Sequence, residues 1–329
     1  MVILFQPLTP GTRRFLDLVA DRSRTIGVRG DYTAEVLSRL GIRNVEVIGC
    51  PSAFWAGRAP DLEGAGKLPP SPRLAVHSTP LGHYRDKVSA LMAHGMRHDA
   101  DYVLQSEMWM MPLLDAGGDL ALLEENLLFY AYPECSPASL RSWLERRLRV
   151  FFDMQQWLDH IGGYDFVYGS RFHGNMAAIQ AGVPALNMPF DTRTRELCEY
   201  LNLPSLPLVE FEAGLPLERL RELADFSLYR RTYDDRLNRY EAFLSRNGLT
   251  HALSSQGAKP SEQPPARQDS AIKLASLRRL LSDLEAGGGS GADFLQSAGM
   301  QRLRCDRDAE GRAAAEEGRL DDIRRPGRI

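Results

Sequence analysis

In the first fifty residues the apolar positions fall into three short β-rich runs, at 2–6, 25–29 and 45–49, separated by stretches with helical spacing. Residues 12–20 carry Phe15, Leu16 and Val19 at that spacing. Residues 33–40 carry Val36, Leu37 and Leu40, and Gly41 follows as a natural left-handed terminator. Strands alternating with helices at this interval predict βαβ units and a parallel sheet.

After a Gly- and Pro-rich stretch at 60–72 the alternation resumes. Strands are predicted at 74–78, 102–105, 166–168 and 184–187, and helices at 85–94, 137–161, 174–181 and 192–201. A last helix near 228–246 is placed to pack back across both domains. The chain therefore reads as α/β: a partial N-terminal Rossmann-like domain at 1–59, a linker at 60–72, a second Rossmann-like domain at 73–247, and a low-complexity, largely disordered tail at 248–329. The tail is polar and aromatic-poor, with a Gly-Gly-Gly-Ser-Gly spacer at 287–291, and only 272–284 has helical spacing of leucines.

Composition removes several function classes. With 40 basic and 43 acidic residues the net charge is -3, which gives no electrostatic case for nucleic acid as the partner. Cys50, Cys135, Cys198 and Cys305 stand far apart without metal-ligand spacing, and no HExxH pattern occurs, so no metal is expected. The thiols read as reduced, in a cytoplasmic protein. No apolar run approaches the ~20 residues of a membrane span.

Candidate chemistry concentrates in Tyr168-Gly-Ser-Arg-Phe-His-Gly-Asn175. A buried strand runs into Gly169, where the chain can turn, and then into a helix of small side chains able to lie close to a sheet. Ser170, Arg171, His173 and Gly174 thus occupy the carboxyl end of a strand, where open α/β sheets bind ligands. They also open a helix, whose free N–H groups favour an anion. An Arg, a His and a backbone nest there suit a phosphate or carboxylate. The alternative is a simply capped helix, with Arg171 ion-paired at the surface and His173 a turn residue. Arg29 also ends a strand and either reaches the same crevice or pairs with Asp31 or Glu35. His77, at a strand end on the same side, is a lesser candidate, while His83, His94 and His98 include surface residues. Met108, Trp109, Met110 and Met111 read as core or interface, and residues 141–149 as a solvated helix face over Trp143, Leu144 and Leu148.

Gly-Ser-Arg-Phe-His-Gly, the Ala-rich helix, Gly182-Val-Pro-Ala185 and the turn Phe190-Asp-Thr-Arg-Thr194 together resemble the signature of polysaccharide pyruvyl transferases. In that family a (G/S)R-hydrophobic-HG segment precedes a small-residue helix, a GVP strand and a Tyr/Phe-Asp-x-Lys turn. Here Arg193 stands where Lys is usual, and Cys50-Pro51 where Asp-Pro is common. The likeness is specific over 153–204, looser over 25–51, thin over 74–149 and absent beyond 247. The family's opening glycine-rich strand–turn–helix does not precede Val2, so the chain is expected to start inside the N-terminal domain.

The resemblance implies a GT-B-like pair of Rossmann-like domains facing a cleft, the first incomplete. It also implies transfer of a pyruvyl group from phosphoenolpyruvate to a sugar of a surface polysaccharide or its lipid-linked precursor, forming a ketal, with no cofactor beyond the donor substrate. His173 would then be the general acid or base. Arg171 and Arg29 would hold the donor's phosphate and carboxylate, Arg171 also stabilising charge as phosphate departs. Ser170, Gly174, Asn175 and Arg193 complete the expected binding set. Two other readings stay open: a GT-B glycosyltransferase taking a nucleotide sugar, and a non-catalytic relative acting as a partner protein.

Overall fold

A computed structural model describes residues 8–62, 66–79, 84–105, 135–251 and 253. The expected strand at 2–6, His83, the Met/Trp run at 108–111 and the tail from 254 lie outside these residues.

The first unit is α1 (Pro10–Arg22), β1 (Ile26–Val28), α2 (Asp31–Arg39) and β2 (Val45–Val47). Pro10 supplies a helical φ at the start of α1, and Thr9 caps it by accepting the Thr12 N–H at 3.2 Å. β1 and β2 pair in parallel, Ile26 opposite Val45 and Val28 opposite Val47. Their small core is Val28, Leu37 and Ile42, with Leu16 and Ala20 of α1 against it.

The second unit holds β3 (Leu74–His77), α3 (Arg85–Arg97), β4 (Asp101–Leu104), α4 (Pro137–Arg147), β5 (Leu148–Val150), α5 (Met154–Ile161), β6 (Phe166–Gly169), α6 (Phe172–Gln180), β7 (Ala185–Asn187) and α7 (Thr192–Leu201). Its five strands are all parallel, in the order β5-β4-β3-β6-β7. Every position of β3, β4, β6 and β7 is buried, as a parallel sheet covered on both faces requires. The α/β class with parallel sheets is thus what the strand–helix alternation predicted.

The helix expected across 137–161 is instead two helices separated by β5. Leu148 pairs with Tyr102 and Val150 with Leu104, so the sheet ladder replaces helical hydrogen bonds there. Asp153 then restarts the helix by accepting the Gln156 N–H at 2.9 Å. Trp143, Leu144 and Leu148 are buried as expected, but Arg147 and Arg149 are not merely solvated. Both pair with Asp101, at 3.4 and 3.1 Å.

The described part of 60–72 contains no helix or strand, yet Leu62 is fully buried in the main core, which anchors this segment. A long last helix, α9 (Ser227–Arg246), follows the short α8 (Leu217–Leu223). It buries Tyr229, Tyr233 and Leu237 against the second unit and stacks Tyr240 on Phe54 at 5.1 Å. At its far end Arg246 pairs with Glu46 of β2, and Asn247 Oδ1 accepts the Thr25 N–H at 3.2 Å. α9 therefore ties the two units together, as the sequence suggested.

Candidate active site

Successive strands β3, β4 and β5 step outward in one direction, and β6 then returns to the other side of β3. The strand order reverses between β3 and β6, and such switch points leave a crevice at the carboxyl ends of open α/β sheets. His77 ends β3, and Gly169 ends β6 directly opposite it.

The turn after β6 is built on that pairing. A side chain at Gly169 would collide with the His77 carbonyl oxygen and ring, so only glycine fits. Ser170 N–H donates to His77 O at 3.2 Å, and Arg171 N–H to His77 Nδ1 at 3.3 Å. Ser170 is buried, and its Oγ accepts the Thr79 N–H at 2.9 Å, which occupies the hydroxyl in holding the β3 loop. Asn175 is also buried and donates from Nδ2 to Gly169 O at 2.9 Å. Gly174 packs on the His77 ring and the Gln105 amide, where an added Cβ would lie 2.5–2.6 Å from their atoms. Small residues Gly174, Ala177 and Ala178 let α6 lie this close to the sheet.

His77 is therefore a support of the turn, not a side chain open to the crevice. Burial first, and then the neighbouring Arg171 charge, brings its pKa down to about 3, slightly opposed by the Asn175 amide. With Nδ1 accepting a hydrogen bond, the neutral ring carries its proton on Nε2. His94, expected among scattered and partly exposed histidines, is likewise fully buried, whereas His98 is exposed.

Arg171 is the N-cap residue of α6 and is half-buried, with Nε donating to Ser78 O at 2.9 Å. That bond ties the guanidinium to the backbone just past β3. His173, in the first turn of α6, is exposed. Arg171, His173 and the opening N–H groups of a helix thus stand together beside the switch point, a cationic and hydrogen-bonding setting for an anion.

The first unit reaches the same place. Beyond β2 the chain passes through Gly49 in left-handed backbone to Cys50, whose Sγ lies 3.6 Å from His173 Nε2 and 3.1 Å from Ser52 Oγ. Gln180, at the other end of α6, clamps the same segment: Nε2 donates to Ala53 O at 2.8 Å, and Oε1 accepts the Ala56 N–H at 2.9 Å. Glu196 of α7 accepts from the Thr33 N–H and hydroxyl at 3.0 and 3.2 Å, docking the start of α2. Sequence reasoning passed over Ser52 and Glu196, and it marked Cys50 only as standing where Asp is common, without a role in the site.

Arg29 follows β1, on the carboxyl edge shared with the Cys50 segment, and is half-buried. Among the described residues no ion pair joins it to Asp31 or Glu35, and Glu35 pairs with Arg39 instead. Arg193, in the first turn of α7, is exposed and faces Asp191 at 3.8 Å. The structure gathers Ser170, Arg171, His173, Gly174 and Asn175 at one helix start, with Arg29 just past β1 in the first unit and Arg193 on the next helix. Among the described residues no group of His, Cys, Asp and Glu is arranged to hold a metal ion, and no helix is long and apolar enough to cross a membrane.

A family model described as polysaccharide pyruvyl transferase matches residues 4–191, more than half of the 329-residue chain. Comparison with curated proteins finds no match. Among solved structures, the glycosyltransferase SnogD from Streptomyces nogalater is 19% identical, with a TM-score of 0.25, over 68% of this chain and 58% of its own. The glycotransferase of kitacinnamycin is 15% identical, with a TM-score of 0.29, over 74% of this chain and 59% of its own. The chain thus spans under two thirds of the length of both, and at these scores neither bears on the arrangement of the site.

Proposed function

The chain belongs to the polysaccharide pyruvyl transferase family, and from that premise we propose that it moves a pyruvyl group from phosphoenolpyruvate to a saccharide diol, forming a ketal. The observation that carries this reading is the Arg171/His173 pair beside a helix start at the switch point, with Arg29 just past β1 in the first unit. A donor with one phosphate and one carboxylate needs two cationic holds and a proton source, and these residue types supply them.

Arg171, held by Ser78 O, would bind the phosphate together with the first N–H groups of α6. Arg29 would meet the carboxylate from the other unit. His173 would deliver a proton to the donor's methylene carbon, creating an oxocarbenium-like centre that the sugar hydroxyls attack as phosphate leaves. The two hydroxyl protons lost by the acceptor balance the one gained at that carbon and the one carried off by phosphate. Ser170, Gly174 and Asn175 would act by holding this geometry, and Arg193 from the margin of the site. The acceptor assigned is a sugar of a surface polysaccharide or its lipid-linked precursor. The cytoplasm is the compartment, because the charged donor does not cross membranes; the buried thiols of Cys50, Cys135 and Cys198, none of them in a disulfide, agree with it.

Calorimetry with phosphoenolpyruvate, followed by phosphate release in the presence of a glycoside diol, tests the assignment. Binding that disappears in Arg171→Ala is the expected result. A chain that ignores phosphoenolpyruvate but binds a nucleoside diphosphate sugar would overturn it.

A further inference from the structure

Cys50 and His173 come from different units, yet the fold holds them in register. The Gln180 clamp fixes residues 53 and 56 to one end of α6, and the Sγ–Nε2 contact of 3.6 Å closes the other end. Cys50 is buried at 3% exposure while His173 is exposed, so the pair runs from the interior out to the face where Arg171 lies. His173 Nδ1 makes no hydrogen bond among the described residues, which leaves it as the ring nitrogen available to a ligand.

The surroundings of Sγ suit a thiolate. Ser52 Oγ is 3.1 Å away and can donate to it. Among the described residues Tyr240 of α9 also faces Cys50; its pKa is raised by burial and by the Cys50 charge, so it stays a neutral phenol. Burial would push the Cys50 thiol up, but the hydrogen bonds with His173 and Ser52 outweigh it and bring the pKa down to about 7.

We propose that Cys50 is a positioning residue for His173, passing its proton to Nε2 so that a buried thiolate holds an imidazolium beside Arg171. The S–H bond breaks, an N–H bond forms, and no other reactant is required. Resting on the pyruvyl-transfer reading, the imidazolium then gives the Nδ1 proton to the donor's methylene carbon, and a proton from an acceptor hydroxyl restores it.

Two measurements test this on the full chain. The first is the ultraviolet absorbance of the thiolate against pH, with Cys50→Ser as the blank. The wild-type signal should titrate near the value of about 7 set by the pair, and His173→Gln should move it up toward the ordinary ~8.5 of cysteine. The second is pyruvyl transfer. Cys50→Ser keeps the size and a hydrogen bond but cannot ionise, so kcat should fall by roughly tenfold or more with KM unchanged. Cys50→Asp should restore most of that rate and move the acid limb of the pH profile. A thiolate titration indifferent to His173→Gln overturns the pairing, as does a Cys50→Ser enzyme with the wild-type rate and profile. Coupled titration in a wild type that transfers no pyruvyl group would uphold the pair and reject the reaction.

Discussion

Lowering the pH from 7 to 5 should weaken the fold through two buried neutral histidines. His77 and His94 are both fully buried. His77 is held at about 3 by burial and then by the Arg171 charge, and His94 at about 4 by burial and then by His98. Each ring is committed to one tautomer. His77 Nδ1 accepts the Arg171 N–H, while His94 Nε2 donates to Leu215 O at 3.1 Å and Nδ1 accepts from the Tyr168 hydroxyl at 2.8 Å. Protonating His77 Nδ1 would set a donor against the Arg171 N–H, and protonating His94 Nδ1 would force the Tyr168 hydroxyl to turn and accept. In the unfolded chain both rings titrate near ~6.5. Below that pH the unfolded state binds protons that the folded state refuses, so stability falls as the pH drops toward the folded values. At about 1.4 kcal/mol per pH unit, pH 5 removes roughly 2 kcal/mol for each ring and roughly 4 for the pair. His98 and His160, lowered mainly by burial but less enclosed, add a smaller loss of the same sign. Urea denaturation at intervals between pH 5 and 7 measures the effect. Stability should decline steadily below about 6.5, and His77→Gln or His94→Gln should flatten that decline whatever each does at pH 7. An unchanged slope in both variants refutes the reasoning.

Three further outcomes are expected. Arg171→Lys keeps the charge but loses the planar fork, so calorimetry should show phosphoenolpyruvate affinity down by roughly tenfold; equal affinity removes Arg171 from the phosphate. His173→Gln should slow transfer by roughly a hundredfold to ten-thousandfold while donor affinity holds; a wild-type rate ends the acid–base role. Gly169→Ala drives a Cβ into the His77 carbonyl oxygen, which the β3–β6 ladder holds in place. It should cost about 3 kcal/mol in urea denaturation, and a neutral result would show that the strands can part there.

Much was determined by the sequence alone. Short apolar, β-rich runs and period-3.6 patterns located nearly every described strand and helix, because burial is written into residue order. Gly169 and the small residues of α6 marked a strand–turn–helix whose start suits an anion, and Arg171 and His173 were read from it directly. The helix at 137–161 was misread because Leu148 and Val150 belong to β4's edge, and local periodicity carries no record of a distant pairing partner. Only the tertiary structure decided that β6 returns beside β3, which makes the end of β6 a switch point. It alone decided that His77 is sealed under Gly174, where desolvation keeps it neutral. And it alone set Cys50 against His173 across 123 positions of chain. The strength of a hydrogen bond and the cost of a charge depend on what lies within a few ångströms, and in this protein those neighbours come from separate units that the sequence lists far apart.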